Sequence, residues 1–322
     1  MSFLLSNLTY SINAVTPIVI LVLLGVFLRR IGLIGDGFTS AAEKVVFKVA
    51  LPVMLFLEVA ESGMTGGFDG GLIVFCLISV TAAFLAASLL VPLFIKDRAK
   101  CGSFVQGACR SNFAILGVPL AENLFGSSGT AAIALVMPFV ILMFNGYSVI
   151  ILSVFSRNRN KKTDAKAVLG IIRNIITNPL IIGVVLAIPF MVWQIRLPVI
   201  LEKSLTYTEN LATPLALICL GANFKPESLR GRAGLAVCSS VIKTVLLPCV
   251  MVVTAALCGL RGESLGVVLI LFGAPTAVSS YIMAKNMEND HDLAAQILLL
   301  TTVMCAFTMF LGIFILKNLN LI

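Results

Sequence analysis

Three stretches of this chain, 72–95, 130–155 and 293–316, each run for more than twenty residues without one Asp, Glu, Lys or Arg. A bilayer's hydrocarbon core is crossed by about 20 mostly apolar residues in a helix, whereas barrel strands read as short alternating segments. The runs therefore predict helices in lipid. The rest of the chain agrees: 59% of the residues are apolar and 12% charged, with a mean hydropathy of +1.06. A soluble domain carries about 25% charged residues. These proportions exclude a water-soluble globule, and they exclude a disordered chain, which needs low hydrophobicity. The expected fold class is an all-α integral membrane protein. No basic stretch or small-residue cleavage site precedes the first span, so no removable signal peptide is expected.

Apolar runs separated by charge, Gly and Asn predict ten spans, near 10–28, 41–60, 71–95, 99–124, 130–155, 172–193, 199–222, 232–259, 264–286 and 292–316. If the odd-numbered connections face the cytoplasm, Arg29, Arg30, Lys44, Lys48, Lys96, Arg98 and Lys100 lie inside. So do Arg157, Arg159, Lys161, Lys162, Lys166 and Arg173, then Lys225, Arg230, Arg232 and Lys285. Arg196, Lys203, Arg261 and Lys317 alone fall outside, and Arg110 and Lys243 sit within spans. Lys and Arg concentrate on the cytoplasmic side of membrane proteins. The chain is thus expected as a multi-pass protein of the plasma or inner cell membrane with both termini extracytoplasmic. Its net charge of +8 is a topology signal, not a nucleic-acid patch.

The chain also resembles itself. Thr16-Pro17 returns as Asn178-Pro179, Leu51-Pro52 as Thr213-Pro214, Pro92 as Pro248, and Ala121-Glu122-Asn123 as Ala284-Lys285-Asn286, each in order and at nearly one shift. The expected units are 1–160 and 161–322, five spans apiece. Five being odd, the second unit inserts upside down. Inverted repeats of this kind put a binding site near the midplane, where the halves meet.

The fourth and ninth spans are the most interrupted. The fourth carries Arg110, Ser111, Asn112, Gly117 and Pro119; the ninth carries Gly273, Pro275, Thr276 and Ser279. Proline removes a helix donor and clashes one turn back, and glycine loosens the helix. Broken backbone at membrane depth is tolerated only inside protein or beside a water-filled cavity. Helix breaks are expected at Gly117 and Pro119 and at Gly273 and Pro275, with Asn112 opposite Pro275 where the two discontinuous helices cross. Half-helix N-termini there would favour a carboxylate. Arg110, Ser111, Asn112, Pro275, Thr276, Ser279 and Lys243 are the candidate substrate-binding residues.

The segment Asn112-Phe-Ala-Ile-Leu-Gly117-Val-Pro119-Leu120, closing on Phe125-Gly126, resembles the N-x-x-x-x-G-[IV]-P-L…G segment of the auxin efflux carrier family, which includes the plant PIN carriers and bacterial malate and malonate permeases. Ala274-Pro275-Thr276 continuing to Ala284-Lys285, with Leu51-Pro52, Asn178-Pro179-Leu180, Pro214-Leu and Leu220-Gly221-Ala222, resembles that family in order along nearly the whole chain. The resemblance implies ten helices in two inverted repeats. Helices 1, 2, 6 and 7 would be the scaffold, and 3–5 and 8–10 the moving part of a secondary transporter for small organic anions. Ser111 stands where the plant carriers have proline, and their long cytoplasmic loop is absent, so a bacterial-type permease is the nearer likeness.

Charge within a span needs a reason, since it costs about 2.5–3.5 kcal/mol even on the mildest scale. Arg110 is either a substrate contact or a structurally paired cation, and Lys243 either an anion contact or a proton-coupling group. Glu58, near a span end, is expected as a solvated interface residue, and His291 as a polar helix start. One histidine, no paired carboxylates in the spans and no clustered thiols argue against an enzyme. Eight cysteines without C-x-x-C read as apolar filler, and neither a metal nor a cofactor is expected. The expected partners are a small organic anion, the lipid bilayer and a second copy of the chain, not nucleic acid. The alternative is a sodium-coupled organic-anion symporter of the bile-acid type, which shares the inverted five-helix plan.

Overall fold

The computed structural model describes residues 2–61, 70–157, 173, 176–223 and 231–322. In hydrocarbon every backbone N–H and C=O must find a partner inside the protein, which helices supply within one segment. Every regular element among the described residues is accordingly a helix. The first is α1 (Ser2–Arg30), which runs through Pro17. Next, α2 (Asp36–Val45) passes through a π turn at Val46–Ala50 into α3 (Leu51–Glu61). Then come α4 (Gly70–Phe94), α5 (Arg98–Cys109), α6 (Phe113–Phe125) and α7 (Ser127–Phe155). Asn178 caps α8 (Pro179–Trp193), its side chain accepting from the Leu180 amide at 3.0 Å. The chain continues through α9 (Val199–Glu209), α10 (Ala212–Asn223) and α11 (Ala233–Val241). A second π turn, Ile242–Leu246, leads into α12 (Leu247–Leu257). The last three are α13 (Gly262–Gly273), α14 (Ser279–Asn286) and α15 (His291–Asn318).

Among the described residues, four helical runs are long and apolar enough to cross a membrane: Gly70–Phe94, Ser128–Phe155, Ala233–Leu257 and His291–Asn318. The seventh span departs from expectation. It is expected as one run over 199–222, but α9 and α10 are separate helices joined through Asn210 and Leu211, and α9 buries no residue. Glu202, Lys203 and Glu209 have no place in hydrocarbon, so only the apolar half packs inside. Of the basic residues behind the topology reading, Arg159, Lys161, Lys162, Lys166, Lys225 and Arg230 lie outside the described residues.

Large apolar side chains such as Leu89, Leu93, Phe94, Trp193 and Leu257 stand exposed on the outer surface, as a lipid solvent requires. Inside, two large apolar clusters divide the molecule. One gathers side chains from α4–α7, α11–α13 and α15. The other gathers α1, the α2–α3 rod, α8 and α10, joined by Val149 and Leu152 of α7, by Tyr281–Met283 of α14 and by Ala295 and Leu298 of α15. Where α1 crosses α10, Gly25 faces the Ile218 carbonyl and Gly221 the Val22 carbonyl, so that a side chain at either would strike backbone. Small residues let membrane helices approach this closely. By contrast, α5 and α13 are buried on nearly every side.

Candidate functional site

The two most buried rods end abruptly and facing one another. After Cys109, α5 gives way to an extended Arg110, then Ser111 and Asn112, before α6 begins. After Gly273, α13 gives way to an extended Ala274, and α14 begins only at Ser279. The interruptions touch: the Asn112 backbone N–H donates to the Pro275 carbonyl at 2.8 Å. Thr276 fastens the second to the first, its hydroxyl donating to the Gly107 carbonyl at 2.6 Å. Its own amide donates to the Thr301 hydroxyl at 3.2 Å. These groups, freed by unwinding, thus find partners within the protein, which lets backbone leave the helix at depth.

The position of the first break corrects the sequence reading. Gly117 and Pro119 are expected to break the fourth helix, yet α6 runs through both and the interruption stands at Arg110–Asn112. A proline removes one helical hydrogen bond. The partners waiting for Arg110 and Asn112 outside the helix decide the matter instead. Gly273 is the last residue of α13, and Pro275 lies within the second interruption.

Arg110 is almost fully buried. Its guanidinium donates to Asn145 Oδ1 of α7 at 2.7 Å, to Ser279 Oγ at 2.8 Å, and to the Met283 thioether of α14 at 2.7 Å. Its Nε has no hydrogen-bond partner, and no carboxylate lies within ion-pair distance of it among the described residues. Glu58 of α3, expected as a solvated interface residue, is half-buried.

Beside the crossing lies a small, partly open cavity of about 20 Å³. Asn112 and Ala277–Ser279 form one wall; Leu51 and Met54 of α3 and Ala212, Thr213 and Ala216 of α10 form the other. That volume is room for about one water, far below the ~300–1,000 Å³ of drug-sized sites, so any larger guest needs these walls to part. Asn112 contributes its side-chain amide to this lining, and Ser279 a hydroxyl whose oxygen accepts from Arg110 and is polarised by that cation.

The remaining candidates lie around this space, not in its wall. Ser111 is buried with its hydroxyl unpaired. Thr276 is spent on Gly107. Lys243 is fully buried in the second π turn and donates to the Phe272 carbonyl at 2.6 Å, at the end of α13 and away from the cavity lining. The sequence reading missed the facing wall. The matched pairs Leu51-Pro52 and Thr213-Pro214 are the signal that could have found it, since each landmark delivers one lining residue. Asn145 and Met283, which hold Arg110, gave no such sign.

A further polar cluster ties α14 to α2 and α10 within the second apolar cluster. Buried Glu43 of α2 accepts from Tyr281 Oη at 2.9 Å and from Asn223 Nδ2 at 2.9 Å, and it pairs with Lys285 Nζ at 2.7 Å. Nearby on the same expected face, Arg232 Nε donates to both Asp290 oxygens at 3.0 and 2.9 Å, while Asp290 caps α15.

A family model described as membrane transport protein matches residues 10–313. An uncharacterized transporter of Methanothermobacter thermautotrophicus is 25% identical over 295 residues, covering 91% of this chain and 94% of its own. One of Methanocaldococcus jannaschii is 23% identical, covering 95% and 99%. The auxin efflux carrier component 3 of Arabidopsis thaliana is 26% identical over 117 residues, which is 36% of this chain and 18% of that protein. The sodium-coupled bile-acid-type alternative finds no support in these likenesses.

Proposed function

The chain belongs to the membrane transport protein family, and from that premise we propose that it is a secondary transporter carrying a small carboxylate across the membrane by alternating access. The observation that carries this reading is the cavity at the crossing, where the Asn112 amide and the Ser279 hydroxyl face inward and Arg110 stands behind without an acid in ion-pair contact. A cation at membrane depth that lacks such a partner favours an anionic guest, which supplies the missing charge.

We read residues 1–160 and 161–322 as inverted five-helix repeats, with both termini outside the cell membrane. The scaffold is spans 1, 2, 6 and 7; spans 3–5 and 8–10 move against it. The division of buried apolar side chains supports this reading, since α1, α3, α8 and α10 share one cluster and the cavity lies along its border. The Glu43 tie joins α14, of the moving set in this reading, to α2 of the scaffold, and would part as the cavity turns from one side to the other.

The test is a thermal-shift screen of the purified protein against mono- and dicarboxylates and indole acids, followed by counterflow of the hits in proteoliposomes. Saturable, bidirectional flux that weakens in Asn112→Ala is the expected result. Large single-channel currents on a voltage step, or no response to any carboxylate, would refute the reading.

A further inference from the structure

Lys243 is left over by the carboxylate site. It is among the largest fully buried side chains of the molecule, with none of its surface exposed. Of its three N–H donors one is placed, 2.6 Å from the Phe272 carbonyl. No Asp or Glu pairs with it among the described residues. The ionisable groups that face it are the thiols of Cys109 on α5 and Cys305 on α15. From α13 comes a backbone carbonyl, the one charged residue of that helix being Glu263 at its far end. Neighbouring α11 and α12 carry no Asp, Glu, Lys, Arg or His, and the charged residues of α5 and α15 stand at helix ends, beginning with Arg98 and Lys100 and with His291 and Asp292, and closing with Lys317.

An ammonium in apolar surroundings without a counter-charge is costly, so a charge arriving at the crossing bears on whether Nζ holds its proton. Its position gives the proton leverage. Phe272 closes the last turn of α13, three residues before Pro275, whose carbonyl holds Asn112 in the cavity wall. An ammonium binds the negative end of a helix more strongly than an amine does. The helix also widens at Lys243: the π turn Ile242–Leu246 interrupts this rod, whereas α4, its counterpart in the repeat reading, is regular and carries no charged residue. Single π turns recur at functional sites.

Resting on the carboxylate-carrier reading, we propose that Lys243 is the proton-binding site of the transport cycle, and that proton and carboxylate travel in the same direction. The Nζ lone pair takes a proton from water on the loading side, and that N–H bond breaks to water on the releasing side; no electrons move. The direction follows from charge. A bound anion stabilises the nearby ammonium, and the ammonium stabilises the anion, so both load and leave together.

The experiment uses proteoliposomes with voltage clamped by potassium and valinomycin, and malonate and malate as probes. Under one-to-one coupling, each pH unit, acid outside, raises wild-type accumulation up to about tenfold over protein-free vesicles. Lys243→Arg holds a charge that is not given up, so its residual exchange, at whatever rate, becomes indifferent to the gradient; Lys243→Met does the same if it folds. Wild-type exchange that ignores the gradient, or a Lys243→Arg protein that still responds, overturns the proposal. If neither probe exchanges, the carboxylate reading fails, and melting in detergent judges the proton site by itself. The melting-temperature difference between wild type and Lys243→Arg should change between pH 6 and about 9, because the lysine can exchange its proton and the arginine cannot. A flat difference overturns the proposal.

Discussion

The two interruptions do one job by different means. In the first, the cation is part of the break itself: Arg110 follows the last turn of α5 and reaches out to α7 and α14. In the second, the break carries no charged side chain, and a lysine reaches it from a neighbouring rod, Lys243 donating to the Phe272 carbonyl. Both answer the partial negative charge of a helix C-terminus with an N–H donor. Only the first sends its charge on toward the cavity, through Ser279. The first interruption is thus built for the guest, the second for the backbone.

Arg110→Ala is the largest test of that division. It leaves Asn145 and Ser279 without their donor, at about 1.5–3 kcal/mol per charged hydrogen bond. Counterflow should fall by roughly a hundredfold or more, each 1.4 kcal/mol being tenfold. Arg110→Lys keeps the charge but loses the planar fork that spans both partners, and should fall about tenfold. A lysine variant with wild-type flux would mean that charge alone matters at the first break.

The comparison continues past the breaks. Glu43 ties α14 through Lys285 and Tyr281, while α6 has no ion pair among the described residues. Removing that carboxylate's charge should therefore loosen the second crossing arm alone. Glu43→Gln should cost about 1–3 kcal/mol, the range for stranding a buried partner, because Lys285 at 27% exposure can turn partly to water. Melting of Glu43→Gln, Lys285→Met and the double variant checks this, and strictly additive losses would dissolve the tie. Asn112→Ala touches neither arm's scaffolding, since the backbone bond to Pro275 remains. It should weaken carboxylate affinity about tenfold, or ~1.4 kcal/mol, and leave melting without ligand nearly unchanged.

Runs without charge, and the pairing of polar residues with Gly and Pro in the fourth and ninth spans, made the lipid-embedded rods and the neighbourhood of the site legible. Residues 99–124 and 264–286 are expected as interrupted rods and stand as α5 with α6 and α13 with α14. Where the first rod opens was not legible, because proline is a local signal and the outcome was decided at a distance. Pro275, Asn145 and Ser279 receive the groups that unwinding frees, while Pro119 stays within α6. Lys243 was legible only as an anion contact or a proton-coupling group. A lysine in a span announces that a partner exists, but not that one of its partners is a carbonyl on the next rod. The outer part of the seventh span was lost to averaging, since apolar Val199–Leu201 drew the polar turns of α9 into the run.

The smallest effects come from two glycines leading into the breaks, and they separate the breaks by stiffness. Both face α15: a methyl at Gly107 would meet the Ile297 side chain, Cγ2 at 2.8 Å and Cδ1 at 2.9 Å, while one at Gly273 would meet the Met309 sulfur. Isoleucine is β-branched, with few rotamers to retreat into, whereas methionine is unbranched and adapts to fill irregular space. Gly107→Ala should therefore cost about 1–3 kcal/mol of overpacking, and Gly273→Ala less than about 1 kcal/mol, partly offset by alanine's better helix propensity. Melting of the two proteins, each paired with Ile297→Val or Met309→Leu, measures the difference. If Gly273→Ala is the costlier, then α13 rather than α5 is the rod whose end cannot shift, and the guest-side role assigned to the first break belongs to the second.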